Sequence, residues 1–296
     1  MRKNTLFTGS AVAIITPFNQ DGIDFEQFER LIEFQISSGT QCIVVCGTTG
    51  EPATMTEDER VSVIKFCIEK VNKRVPVVVG TGSNCTATAV KNSVQAQELG
   101  ADGLLVVTPY YNKCTVKGLV AHYKAISDAV SLPIIAYSVP GRTGVNITAS
   151  AMLELAKIEN VCAIKEASGN IDQITDICAT CSEYIDVYSG DDGIVVPMMS
   201  IGAKGVISVA ANIAPADMQS MCEAALNGDF ATAGSMQKRI YPLVKALFCE
   251  VNPIPVKTAA SFMGYCNGEL RLPLTAMSES NALRLKEEMI KFGIAL

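Results

Sequence analysis

Tryptophan is absent from this 296-residue chain, and histidine occurs once, at His122. A single imidazole rules out multi-histidine metal centres. Lysine and arginine never gather into a patch, and the net charge is -6. Neither nucleic acid nor an anionic membrane surface is therefore an expected partner. No apolar run is long enough to span a bilayer, because the stretch 193–215 is interrupted by Pro197, Gly202, Lys204 and Gly205. The early apolar run 11–15 is too short for a secretory leader and meets Thr16-Pro17 at once, so a cytoplasmic protein is expected. Charged residues make up only 18% against 49% hydrophobic, the balance of a folded globule rather than a disordered chain.

What is plentiful is cysteine. Eleven are scattered through apolar segments, an odd number that suits small buried hydrophobes in a reducing compartment better than a disulfide framework. Cys178 and Cys181 form one Cys-x-x-Cys in a helical stretch (174–184), with no second pair nearby, and they read as packing residues.

Short β-rich apolar runs recur at 11–15, 42–45, 77–79, 104–107, 134–137, 162–164, 186–188 and 206–209. Helical patterns fill the gaps: 25–36 spaces Phe28, Leu31, Ile32 and Gln35 on one face, and Thr56 with Glu59 forms a capping box opening 56–71. Continuous apolar strands alternating with helices indicate a parallel sheet covered on both faces. Eight such units predict an α/β fold, a (β/α)8 TIM barrel over 1–215, with a doubly wound open sheet as the competitor. Residues 216–296 show no strand-like run and no flexible linker. They are expected to be C-terminal helices packed on the barrel.

Barrel chemistry gathers where the strands end. The rim then holds Thr16, Gly47-Thr48-Thr49-Gly50-Glu51, Gly80-Thr81, Thr108, Tyr111, Tyr137, Lys165-Glu166, Gly190-Asp191 and Ser208. Lys165 ends the apolar run 161–164, where desolvation can free its amine to attack a ketone. The plainer reading is an exposed lysine at a strand end. The glycines and hydroxyls of 47–51 suit a carboxylate, or simply a tight turn. Tyr137 is a proton shuttle or a core tyrosine, and Arg142 a carboxylate clamp or a surface arginine. Asp191-Asp192 lacks a third carboxylate and makes a poor metal site. Gly80-Thr81-Gly82 carries Cys85 where a dinucleotide fingerprint needs glycine.

Taken together, Gly47-Thr48-Thr49-Gly50-Glu51, the segment 137–144 and Ile164-Lys165-Glu166-Ala167 resemble the pyruvate-dependent class I aldolase family that includes N-acetylneuraminate lyase. Order and spacing of all three motifs are kept over nearly the whole chain. The pattern is most similar to the branch that condenses pyruvate with L-aspartate 4-semialdehyde for lysine and diaminopimelate biosynthesis. Ser138 departs from it, standing where an asparagine is common. A sister aldolase acting on a sugar acid, and a non-catalytic keto-acid-binding barrel, are the alternatives.

The resemblance implies that Lys165 forms the imine with pyruvate, with no other cofactor and no metal. It implies a proton relay of Tyr137, Thr48 and Tyr111, the last contributed across a dimer interface, hence a homo-oligomer (dimer or dimer of dimers). Thr49, with main-chain groups of Gly190 and Ile207, would hold pyruvate, and Arg142 the semialdehyde carboxylate. Members that lysine inhibits share Asn84 and Tyr110 but carry histidines at the positions of Glu57 and Arg60 and a glutamate at that of Thr88. Weak inhibition by lysine is therefore expected.

Overall fold

The computed structural model describes residues 3–296. Eight parallel strands run in chain order: Gly9–Ala13, Cys42–Val45, Val77–Gly80, Gly103–Val107, Ile134–Ser138, Val161–Glu166, Asp186–Ser189 and Gly205–Ser208. The eighth pairs with the first, closing the barrel that the sequence leads one to expect. Nearly every strand residue is buried, which is why the strands read as unbroken apolar runs rather than alternating ones.

The first strand lies two residues earlier than its apolar run suggests. Ile14 and Ile15 are fully buried, yet the Ile15 N–H leaves the ladder and donates to Asn212 Oδ1 at 3.0 Å. A two-stranded antiparallel ribbon, Phe18–Asn19 with Gly22–Ile23, follows this strand and has no counterpart in the expected pattern.

Alternation along the strands assigns the faces. Val12, Ile43, Val79, Val106, Ala136 and Ile164 join the core beneath the outer helices. Ala11, Val44, Val78, Ile135, Ala163 and Ile207 fill the barrel interior. The sixth strand contains a bulge. Ile134 pairs with Val161 but Ile135 pairs with Ala163, and Cys162 is skipped. This resets the phase so that Ala163 and, two residues on, Lys165 both face inward.

Helix Phe25–Ser37 buries Phe28, Leu31, Ile32 and Gln35, and helix Glu57–Val71 opens with the complete Thr56/Glu59 capping box. Cys178 and Cys181 are buried and unbridged on helix Ile171–Cys181, with the Cys178 thiol pushed up to about 11 by burial. Helix Pro215–Leu226 packs on the first strand. Helices Phe230–Leu247, Ile254–Phe262 and Glu279–Phe292 then complete the chain, so 216–296 is wholly helix and connection. No helix among the described residues is long and apolar enough to cross a membrane.

Candidate active site

Register fixes the neighbours of Lys165. Tyr137 on the fifth strand pairs with it on one side and Tyr188 on the seventh strand pairs with it on the other. Both tyrosines point inward, but they are not equivalent. The Tyr188 hydroxyl donates to the Phe7 carbonyl at 2.7 Å, and its ring stacks on Phe7. Tyr137 instead offers its ring face to the amine, with Lys165 Nζ 4.4 Å from the centroid, and its hydroxyl hydrogen-bonds the Thr48 side chain.

Burial dominates the electrostatics. Lys165 is 5% exposed, and desolvation pulls its amine down to about 8. The Asp192 carboxylate opposes that shift and the Arg142 guanidinium adds to it. Desolvation pushes the Tyr137 phenol up to about 12, so at neutral pH it is a proton carrier and not a phenolate. Asp192 is sealed in protein and accepts the Val209 and Ala210 N–H groups at 3.0 and 2.8 Å. Burial raises its pKa even so.

The loop after the second strand supplies the opposite wall. A single 3-10 turn, Thr48–Gly50, ends at Glu51 in the left-handed region (φ 56°). That leaves Thr48 toward Tyr137 and Thr49 buried beneath it. Gly190 closes the floor. A methyl group added there would meet Ala167 Cβ at 2.7 Å and Lys165 Cε at 3.0 Å, so only glycine lets the seventh strand pass this close to the lysine stem. Thr48, Thr49, Tyr137, Arg142, Lys165 and Gly190 line one cavity of about 420 Å³.

Two expected residues stand apart from this group. Ile207 is packed in the barrel interior and does not line the cavity. Tyr111 is 91% exposed at φ 70° and does not reach the site within one chain. Other rim hydroxyls are committed to the fold: Thr16 donates to the Gly50 carbonyl, Thr108 to Thr143, and Ser208 accepts from Ala211. Glu166 is buried and spends its oxygens on Ser168 N–H and Gln173.

Sequence reasoning missed the contribution of the C-terminal segment, from helix Ile254–Phe262 and the turn before it. Asn252 Nδ2 donates to Thr49 Oγ1 at 3.0 Å, and the Asn252 carbonyl accepts from Arg142 at 3.0 Å. Lys257 reaches Glu51 across 206 positions of sequence. No local signal announces such pairings. Asp192 had been visible only as half of an acidic pair. Among the described residues no group of three or more His, Cys, Asp or Glu is placed to hold a metal ion.

A chain carrying this arrangement has abundant relatives. The sequence profile described as the Dihydrodipicolinate synthetase family matches residues 6–291. A 4-hydroxy-tetrahydrodipicolinate synthase of Caldicellulosiruptor bescii is 54% identical over 293 residues, 99% of each chain. The crystal structure of a dihydrodipicolinate synthase from Aquifex aeolicus superposes with a TM-score of 0.96 at 47% identity, covering 98% of this chain and 99% of that one. A monomeric variant of such a synthase superposes at 0.97 with 41% identity, covering 98% of both chains.

Proposed function

The chain belongs to the dihydrodipicolinate synthetase family, and from that premise we propose that it condenses pyruvate with L-aspartate 4-semialdehyde to 4-hydroxy-tetrahydrodipicolinate through an imine on Lys165. The observation that carries the reading is the buried Lys165 amine, drawn down to about 8, against the face of a Tyr137 that is hydrogen-bonded to Thr48.

The chemistry follows from these groups. The free amine adds to C2 of pyruvate, and the carbinolamine loses water to give the imine. Protonation of the imine nitrogen acidifies the C3 hydrogens, and removal of one gives the enamine. The Asp192 carboxylate favours the cationic nitrogen in a site that otherwise disfavours it. The enamine carbon attacks the aldehyde, whose oxygen takes up a proton. The amino group of the second substrate then adds to C2 and displaces Lys165, regenerating the free amine.

Every step moves a proton, and the Tyr137–Thr48 pair is the relay at hand, with its phenol protonated at rest. Thr48 and Thr49, with main chain around Gly190, hold the pyruvate carboxylate, while Ile207, expected beside them, lies beneath the cavity in the barrel interior. Arg142 on the rim binds the semialdehyde carboxylate as a two-pronged donor. The reading calls on no metal and no dissociable cofactor. Tyr111 enters from a second copy in a homo-oligomer, and its exposure in the single chain fits that role. The 216–296 extension acts as part of the site rather than as an independent unit, and the enzyme works in the cytoplasm.

Borohydride reduction in the presence of pyruvate, read by mass spectrometry, tests the imine. A pyruvate-sized adduct on Lys165, absent from Lys165→Ala, followed by turnover of L-aspartate 4-semialdehyde, is the expected result. An adduct without that turnover would assign a sister aldolase. No adduct would end the Schiff-base reading.

A further inference from the structure

The cavity around Lys165 has an unequal set of charges. Its basic groups are Lys165, Arg142 and Lys245, and Asp191 is the only carboxylate in its lining. Basic groups suit the proposed reaction, since pyruvate and the semialdehyde both arrive with a carboxylate. A fixed negative charge does not, and it works against the entry of pyruvate.

The local fold does not require that charge. Asp191 Oδ1 accepts the Gly193 N–H at 2.8 Å and caps the 3-10 turn Asp192–Ile194, a task that asparagine or serine also performs. Asp191 Oδ2 has no hydrogen bond or ion pair among the described residues, although Lys245 lines the same cavity. Nor does Asp191 set the charge of Lys165, which is governed by burial, Asp192 and Arg142.

Its place in the barrel supplies the reason. The sixth strand, carrying Lys165, lies between the fifth and the seventh. Arg142 follows the fifth strand and Asp191 the seventh, so a guanidinium and a carboxylate flank the lysine from opposite sides of one cavity. The second substrate carries both complementary charges on a single carbon, a carboxylate and an ammonium. Pyruvate carries no cation.

We infer that Asp191 binds the α-ammonium of L-aspartate 4-semialdehyde through Oδ2 and takes one of its protons to start ring closure. The inference rests on the proposed condensation. Once Asp191 holds that proton, the nitrogen lone pair forms the bond to C2, and the electrons of the C2–Nζ double bond return to Nζ. The ring nitrogen gives a second proton to the Tyr137–Thr48 relay. Its lone pair then expels Nζ, which leaves with the C2–Nζ electron pair and the proton from Asp191. Lysine and aspartate are both restored, and the ring departs as a cyclic iminium.

Steady-state kinetics of wild type and Asp191→Asn provides the test. The substrate is L-aspartate 4-semialdehyde, and the competitive inhibitor is succinic semialdehyde, the same aldehyde without the amino group. Asparagine keeps an acceptor for the Gly193 N–H and removes only the charge. KM for the substrate is expected to rise roughly tenfold to a hundredfold, the range for a hydrogen bond between charged partners, and kcat to fall. The inhibition constant of succinic semialdehyde and the borohydride-trapped pyruvate adduct are expected to stay as in wild type.

An unchanged KM would overturn the inference. So would equal weakening of both aldehydes, which marks an altered cavity rather than a lost charge. If the variant forms no pyruvate adduct, wild type decides alone: succinic semialdehyde should inhibit with a constant at least about tenfold above the substrate KM, and equal values would refute the ammonium contact. Failure of wild type to consume L-aspartate 4-semialdehyde would instead strike the proposed condensation, and this inference with it.

Discussion

Lys257 Nζ lies 2.6 Å from Glu51 Oε1, and both side chains are sealed from solvent, at 0% and 2% exposure. The Lys257 ammonium also sits 3.9 Å from the centroid of the Phe18 ring, whose neighbourhood Arg271 shares at 4.2 Å. The pair therefore joins the end of the Thr48-Thr49 turn to the helix Ile254–Phe262. Removing one partner leaves the other as a buried charge without compensation, which typically costs about 3–5 kcal/mol. Glu51→Gln and Lys257→Met are each expected to lose stability on that scale. The double variant is expected to recover most of it, as measured by denaturant midpoints in a double-mutant cycle. Additive losses would mean that the two side chains act independently.

Lys165 makes the active site a source of instability at neutral pH. The unfolded chain holds this proton to about pH 10.5, whereas the folded protein releases it near 8. Below pH 8 both states are protonated and the folded state bears the whole desolvation penalty. Between 8 and 10.5 the folded state alone is neutral and the penalty fades. Lys165→Met should therefore be inactive yet more stable than wild type by on the order of 3 kcal/mol at pH 7, with the gap closing as pH rises through that window. Denaturant titrations at several pH values measure it. A gap that widens toward pH 10 would refute the assignment. Adduct formation with pyruvate should rise with pH up to about 8 and level off above it.

Gly190→Ala places a methyl group where Lys165 Cε and Ala167 Cβ already stand. Overpacking of this kind costs about 1–3 kcal/mol in stability. Displacing a reacting atom by about an ångström costs roughly a hundredfold in rate. Circular dichroism should show a folded variant, and the rate of pyruvate adduct formation should fall by that order. A normal rate would show that the strand yields without moving the amine.

Tyr111 can be placed in the relay by mixing two crippled proteins. Lys165→Ala and Tyr111→Phe are each expected to be weak or inactive. Subunit exchange would create hybrids containing one site with both native groups. Activity in the mixture above the sum of its parts is the expected outcome. If activity does not rise although mass spectrometry detects hybrids, Tyr111 does not cross an interface.

Weak feedback by lysine follows from charge. The effector's ammonium would enter a cavity of about 490 Å³ lined by the buried Arg60 guanidinium, whose hydrogen bonds go to the neutral amides of Asn92 and Gln95, and the one carboxylate in that lining, Glu51, is already engaged by Lys257. Initial rates should be unchanged by sub-millimolar lysine. Half-inhibition in that range would contradict the expectation.

The legible part of this molecule is what repeats or stays local. Eight apolar runs mark eight strands because a barrel buries both faces of its sheet, and Thr56 with Glu59 marks a helix start because capping is settled within one turn. Strand ends were less visible. Ile14 and Ile15 are as buried as Ala11 to Ala13 although the strand ends at Ala13, so hydrophobicity alone cannot find the boundary. The inward aim of Lys165 depends on skipping Cys162, a backbone event with no residue signature. Asn252 and Lys257 were invisible as site residues, since a polar side chain on a C-terminal helix, or in the turn before it, looks the same whether it meets water or a loop far away in sequence.

The ties from Asn252 to Thr49 and from Lys257 to Glu51 also bear on how the enzyme comes into being on the ribosome. Synthesis runs from the N-terminus, and the eighth strand ends at Ser208. A nascent chain thus holds every strand of the barrel some fifty residues of translation before it has the side chains that brace its carboxylate turn. Closure of the scaffold and maturation of the site are separate moments in the birth of this protein, and the second waits for its last quarter.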